Sequence, residues 1–263
     1  MSRRRARRIE TDRRGVSETL GYVLVFSLVI STIGAVMIFG FSGLEDRQEV
    51  EQVNNVERAF DVLADNFDDM RRYEDPSRAT EVRLAGGTLS LGEEVNITVG
   101  QGSNGEINGN QTSVDLDPLV YESDGGIVVY EAGMVFRVDD GQSLPRSETP
   151  IVVGEEVSIV APILTDSGGG PTAISSEQTI LIETSRIAAQ QSEISANGND
   201  LLLQVESPRA DGWERQLNSE GLKNVSREGN RVTAQLAVNE NGKEKSPERA
   251  VLADTDVVVV FRR

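Results

Sequence analysis

Between Thr19 and Leu44 lie 26 consecutive residues without a charge, and no other feature limits so tightly what this chain can become. A helix rising about 1.5 Å per residue carries such a run about 39 Å, more than the roughly 30 Å of hydrocarbon in a bilayer. The run also lacks the polar periodicity of a helix that buries one face in a globular core. Its flanks are asymmetric. Seven arginines (Arg3, Arg4, Arg5, Arg7, Arg8, Arg13 and Arg14) precede residue 15 against Glu10 and Asp12, whereas Glu45, Asp46, Glu49 and Glu51 follow. Basic residues stay on the cytoplasmic side. The expectation is a single-pass protein of the cell membrane, with the N-terminus cytoplasmic and everything after residue 45 extracellular.

The rest of the chain is acidic. Without residues 1–15 it holds 19 basic and 41 acidic residues, a formal charge of −22, and its only lysines are Lys223, Lys243 and Lys245. Such a surface repels phosphates, so no nucleic-acid partner is expected for the body. Low lysine and 5% aromatic content match proteins of salt-loving archaea, where screening makes high charge tolerable. Cysteine and histidine are both absent. That excludes disulfides, thiolate or imidazole metal sites, and catalysis by imidazole or thiolate.

Where the chain is processed follows from the order of its signals. An ordinary signal peptide has a shorter apolar stretch closed by small residues, and neither applies here. A twin-arginine signal at Arg13-Arg14 is a poor match, because Gly15, Val16 and Ser17 follow it. The run Arg13-Arg14-Gly15-Val16-Ser17-Glu18-Thr19-Leu20-Gly21 resembles the class III signal of archaeal prepilins. The resemblance implies cleavage between Gly15 and Val16 by a prepilin peptidase, and packing of the apolar helix against other pilin-like subunits. One position departs from the pattern: the fifth mature residue is Leu20, where many pilins carry glutamate, and the nearest acid is Glu18. Ser27, Ser31 and Ala35 recur every four residues, a spacing that lets helices approach closely in lipid.

Beyond the membrane segment, Val53, Val56, Phe60, Leu63, Phe67 and Met70 are spaced 3, 4, 3, 4 and 3 apart, one stripe of a helix that continues to about Tyr73 and stops at Pro76. The stripe has two uses open to it, covering the chain's own β-domain or packing in a filament. After Pro76 the sequence becomes short β-rich runs broken by Gly, Asn, Asp and Pro. The expected fold is α+β: a long N-terminal helix, membrane-spanning and then amphipathic, followed by a mainly antiparallel β-sandwich-like domain with one short helix over Pro208–Glu220. The expected divisions are a basic cytoplasmic leader (1–15), a transmembrane helix (16–44), an amphipathic extension (45–75) and an extracytoplasmic β-rich domain (78–263). Strand–GEEV–strand order occurs twice, around Glu93-Glu94 and Glu155-Glu156, and both copies read as hairpins.

Motifs with chemistry attached lack the context they need. Gly100, Gly102 and Gly105 match a dinucleotide-binding pattern after a strand, but no amphipathic helix follows. The segment reads as a flexible loop. The paired carboxylates fall in turns, where they do not face a common substrate. Asp115, Asp117, Asp139, Asp140 and Asp166 lie near turns without a calcium-loop pattern. No catalytic residue, cofactor or metal is therefore expected. Three N-glycosylation sequons follow the membrane segment, at Asn96, Asn110 and Asn224. Leader, Gly-Val junction, apolar helix, acidic continuation and β-domain together resemble pilin-like surface proteins of halophilic archaea, as do the stretches Asn54–Asn66 and Pro76–Glu81. The implied role is a membrane-anchored structural protein, a minor subunit of a pilus-like filament or of its assembly machinery. The alternative is an anchored binding module that never polymerises.

Overall fold

The computed structural model describes residues 13–153, 156–166, 172–240 and 243–262; most of the basic leader lies outside them. The chain divides into two units, residues 1–48 and residues 49–263. Helix α1 (Arg13–Arg72) is 60 residues long and contributes to both. Its end is set by residues that cannot continue it. Arg71 and Arg72 sit in the last turn, where cations favour the helix dipole. Glu74 adopts a left-handed φ of 58° and Pro76 follows.

The second unit holds three large sheets. The first has the order β1 (Ser77–Arg83), β12 (Thr179–Ser195), β18 (Arg249–Arg262), β10 (Val157–Asp166), β9 (Ile151–Val153), antiparallel except for the β10–β18 pair. The second is antiparallel throughout: β11 (Ala173–Ser175), β2 (Thr88–Leu91), β5 (Leu119–Ser123), β6 (Gly126–Glu131), β7 (Met134–Asp139), β8 (Gln142–Pro145). The third runs β14 (Lys223–Glu228), β15 (Arg231–Gln235), β13 (Asp200–Glu206), β3 (Val95–Ser103), β4 (Glu106–Leu116), again antiparallel. Strands β16 (Val238–Glu240) and β17 (Lys243–Lys245) pair only with each other. Helix α2 (Ala210–Ser219) brings Trp213 and Leu217 into the core, within the expected Pro208–Glu220.

These elements enclose two cores, and the second sheet separates them. Val128, Tyr130 and Val135 point into one core with the α1 stripe. Val129, Met134 and Phe136 point into the other with α2 and the third sheet. Alternate residues of a strand face opposite sides, so a sheet buried on both faces needs unbroken apolar runs. Ile127–Tyr130 and Met134–Phe136 are such runs. The first sheet serves both cores differently. β18 buries Ala250 and Leu252 in one core, then Val257, Val259 and Phe261 in the other. The parity changes opposite a bulge in β12, where the register passes from Arg186↔Val257 to Ala188↔Asp256 and Ile187 is left unpaired. In β12 the extra residue resets the alternation, so that Ile180 and Ile182 face one core and Ile194, of the same parity, the other.

The α+β class is as expected, and its body is built of three sheets around two cores. Four local readings are corrected. The stretch around Gly100–Gly105 is no flexible loop but the β3–β4 hairpin, turned at Asn104 and Gly105, both of positive φ, the geometry Asn-Gly favours. The first GEEV segment is no hairpin. β2 and β3 belong to different sheets, and Gly92 hydrogen-bonds to the Pro118 carbonyl as the chain crosses between them. At the second, β9 and β10 do pair as a hairpin. The run Ser113–Tyr121 is two strands, because Asp117-Pro118 breaks it and Pro118 has no amide to donate. Arg231–Val238 is likewise divided between β15 and β16.

One charged side chain is fully buried between sheet and helix. Glu131, with no exposed surface, accepts hydrogen bonds from Arg209 Nε at 2.6 Å and Trp213 Nε1 at 2.7 Å. It fastens the β6–β7 turn to the start of α2. Removing one member of a buried pair strands the other, at a cost of about 3–5 kcal/mol, whereas replacing both with apolar groups costs far less. Glu131→Gln is expected to lower unfolding stability by that amount in urea titration, and Glu131→Gln with Arg209→Met to recover most of it.

Candidate functional site

The first unit presents one chemical surface. Glu18–Phe39 has a mean hydropathy of 2.4 and none of it is buried. Leu24, Val36 and Phe39 are 70%, 71% and 78% exposed, side chains that water would not leave so placed in a soluble fold. Tyr22 and Phe26 stack with ring centroids 6.4 Å apart. The Thr32 hydroxyl donates back to the carbonyls of Leu28 at 3.0 Å and Val29 at 2.9 Å, which satisfies it without a neighbouring helix. Ser27, Ser31 and Ala35 are exposed together on this surface. Gly15 and Val16 fall in the first turn of α1. One helix is therefore long and apolar enough to cross a membrane.

In the second unit, α1 residues 49–72 form a working part of the body. Val53, Val56, Phe60, Leu63, Phe67 and Met70 are all buried, none more than 2% exposed. Phe67 packs on Tyr130 with centroids 4.9 Å apart. Polar contacts fasten the stripe on either side. Near its start, Glu57 accepts from Arg146 Nε at 2.6 Å and lies 3.7 Å from Arg137, which itself donates to Asn54 at 2.8 Å and Asp139 at 2.8 Å. Near its end, Asn66 donates to Thr80 at 2.8 Å, and Arg78 bridges Asp69 and Asp75. Of the two uses the stripe had, covering the chain's own β-domain is the one the fold displays.

A cavity of about 310 Å³ opens beside this helix, lined by Asp65, Phe67, Asp68, Arg71 and Arg72 of α1, by Tyr130, and by the segment Ser147–Pro150. Tyr130 is 1% exposed and its hydroxyl has no hydrogen-bond partner among the described residues, and neither has that of Thr149. Burial pushes the Tyr130 phenol well above its ordinary value; Asp68 adds to this, and contact with the Gly133 backbone opposes it. None of these residues announced itself in the sequence, because Tyr130 reads there as one more residue of an apolar strand.

The sequons fall at unequal places. Asn110 is exposed on β4, and Asn224 is exposed on β14 with a φ of 50°. These two strands are the opposite edges of the third sheet. Asn96 sits inside paired β3, where its amide donates to Asp115 at 2.7 Å and its oxygen accepts from Thr98 at 2.8 Å. The acids near turns are not brought together: Asp139 is held by Arg137 and Asp115 by Asn96, and no three acids converge on a metal position among the described residues.

The site thus defines a β-rich protein whose N-terminal helix supplies both an apolar segment of membrane-crossing length and a buried wall of the body. The chain belongs to the family DUF7289, a family of unknown function, which it matches over residues 14–259. The match covers the apolar segment and nearly the whole β-body. An uncharacterized protein of Archaeoglobus fulgidus is 31% identical over 78 residues, which is 30% of this chain and 26% of that protein. The chain thus matches about a quarter of that relative's length. Among solved structures, the YwiB protein of Bacillus subtilis aligns with 62% of this chain and 94% of its own at 9% identity and a TM-score of 0.17, too low to carry an argument.

Acid crowding along α1 generates a test. Partial burial raises the Asp61 carboxyl above its usual range, Glu57 and Asp65 raise it further, and Arg146 opposes them. An acid raised in the folded state subtracts stability once pH exceeds its unfolded value, and the loss vanishes where it is protonated in both states. Asp61→Asn is therefore expected to raise the melting temperature at neutral pH. The gain should shrink in molar salt and disappear in acid below about pH 4.

Proposed function

We propose that this chain is a pilin-like, membrane-anchored protein of the cell surface with a structural, non-catalytic role. The observation that carries the reading is the two-part character of α1: an exposed apolar stretch over Glu18–Phe39 and a buried stripe over Val53–Met70. An apolar span preceded by arginines and followed by acids favours an N-terminus in the cytoplasm and a body outside. The run Arg13–Gly21 supports processing between Gly15 and Val16 by a prepilin peptidase, which would leave the apolar helix attached. The absence of histidine and cysteine from the sequence supports a role other than hydrolytic or redox catalysis.

A second reading, an anchored binding module that does not polymerise, is favoured by the cavity beside α1 and by the docking of the α1 stripe on the chain's own β-body. Mechanical shearing of cells separates the two. A filament subunit leaves with the sheared fraction, and a solitary anchor stays with the membrane.

The mature N-terminus, read by mass spectrometry of the membrane fraction, is expected to be Val16 and to revert to the uncut leader when the prepilin peptidase is deleted. An intact leader in both strains would refute pilin-type processing, and a start beyond residue 40 would refute anchoring. Exported in this orientation, Asn110 is expected to carry a glycan at higher occupancy than Asn96 or Asn224, whose side-chain amides donate to Asp115 and Gln235. Glycopeptide mass spectrometry measures this, and preferential occupancy of Asn96 would contradict it.

A further inference from the structure

Each large sheet ends in strands with one side unpaired, and most of these edges are interrupted. β9 and β11 are three residues long, and β8 has four and ends in Pro145. β14 and β4 carry register shifts, at Lys223/Ser226 and opposite Gly100/Gly102. Short, bulged or proline-bearing edges resist the addition of another strand. β1 has none of these devices: its seven residues pair with β12 in unbroken register and include neither proline nor lysine. Arg186 donates to the Pro76 carbonyl at 3.0 Å and Leu84 to that of Gln178 at 3.4 Å, so the even-numbered residues of β1 bond to β12. Hydrogen-bonded pairs alternate along an antiparallel ladder. The amides and carbonyls of Ser77, Ala79, Glu81 and Arg83 therefore point away from β12, and no backbone group among the described residues meets them. Their side chains are exposed as well.

A flank of α1 overlooks this edge. Asn66 donates to Thr80 at 2.8 Å, and Asp69 lies 3.3 Å from the Arg78 guanidinium. These contacts turn one row of the helix toward β1, the residues 62, 66, 69 and 73 spaced 4, 3 and 4 apart. The two ends of the row are apolar and bare: Val62 is 52% and Tyr73 70% exposed. Where a peptide extends a sheet, main-chain hydrogen bonds supply affinity and contacts to alternate side chains supply selectivity. A strand laid along β1 meets its free amides and presents every second side chain to the Val62–Tyr73 flank. Charge narrows the occupant. After residue 15 the chain carries −22, so a second copy brings like charge, whereas a basic segment is attracted. On the outer face Glu81 and Arg83 alternate, which suits a segment that mixes basic with neutral polar residues there.

We propose that the open edge of β1, beside the Val62–Tyr73 flank of α1, accepts an extended basic segment of a partner protein as a sixth strand of the first sheet. The segment carries apolar side chains at alternate positions toward α1. This rests on the binding-module reading of the body.

The full-length chain in zwitterionic nanodiscs, with empty nanodiscs as the blank, is to be titrated with a labelled heptapeptide in which lysine or threonine alternates with valine. Saturable binding is expected by fluorescence anisotropy, with slowed hydrogen exchange over Ser77–Arg83. Replacing the peptide's lysines by glutamate should weaken binding at least about tenfold. Methylating its amides, which keeps the charge, should abolish it. Ala79→Pro removes an outward amide and leaves the β12 ladder whole, so it should abolish binding at an unchanged melting temperature. Val62→Ser with Tyr73→Ser alters only exposed side chains and should weaken binding about tenfold, a second check that does not depend on the backbone. No saturable binding at millimolar peptide would overturn the proposal, as would binding that survives amide methylation or Ala79→Pro. A dimer of the chain that Ala79→Pro breaks would give the edge to a second copy and overturn it too. A chain that stays with the membrane on shearing and binds no peptide refutes this proposal alone. One that leaves with filaments and binds the peptide refutes the non-polymerising reading alone.

Discussion

Burial of six α1 side chains, Val53 through Met70, is the interaction on which the body depends. Each contributes on the order of 1.5–3 kcal/mol when fully removed from water, and together they cover one face of the second sheet. No other helix in the described residues contributes to that core. α2 belongs to the opposite one. Without residues 49–72, Tyr121, Val128 and Tyr130 would lose their cover, and the first sheet would lose what its far end packs against. The amphipathic extension is therefore a structural layer of the domain.

High acidity shapes how the parts are fastened. With 41 acids and 19 bases after residue 15, one cation must serve more than one carboxylate. Arginine does this because its planar fork presents several donors in fixed directions. Arg78 bridges Asp69 and Asp75, Arg249 bridges Glu156 and Glu193, and Arg137 lies between Asp139 and Glu57. Lysine, a compact point charge, serves this geometry poorly, and only three are present. Exposed pairs of this kind contribute little singly. Their use is to keep helix and strand termini from repelling one another, and the clamps at both ends of the α1 stripe follow this pattern.

Much of the fold was legible in the sequence because its signals are local. The α1 stripe shows as a 3–4 periodicity, α2 as Trp213 and Leu217 four apart, and most strands as alternating runs. What was not legible depends on which strands meet. The glycines of Gly100–Gly105 suggested a loop, yet Asn104-Gly105 is a hairpin turn whose flanking strand, Glu106–Thr112, is largely polar because β4 is an edge with little to bury. The two GEEV segments look alike but end in different sheets, and only long-range pairing with β13 and β5 separates them. The cavity is the extreme case. Tyr130 has the same sequence context as its buried neighbours, and where its hydroxyl comes to lie is a fact of packing.

The same packing bears on what α1 is free to do. A subunit that polymerises through its N-terminal helix needs a helix face to offer, and the stripe from Val53 to Met70 is already buried under the body's own sheets. What remains exposed along that stretch, Asn55, Arg58, Asp61, Val62 and Asp65, is mostly polar and suits solvent. Association would thus fall to the apolar segment before Gln48, where the physics favours lipid as a sufficient partner. Tyr22 is its only ionisable side chain between Thr19 and Phe39, and Thr32 satisfies its hydroxyl on its own backbone. Leu20, at the position where a pilin would carry glutamate, asks nothing of a neighbour, whereas a buried carboxylate would require a partner charge. Small residues at Ser27, Ser31 and Ala35 permit close helix contact without compelling it. These features support an anchor that is complete as a single helix, with assembly an added property that would have to come from the apolar face alone.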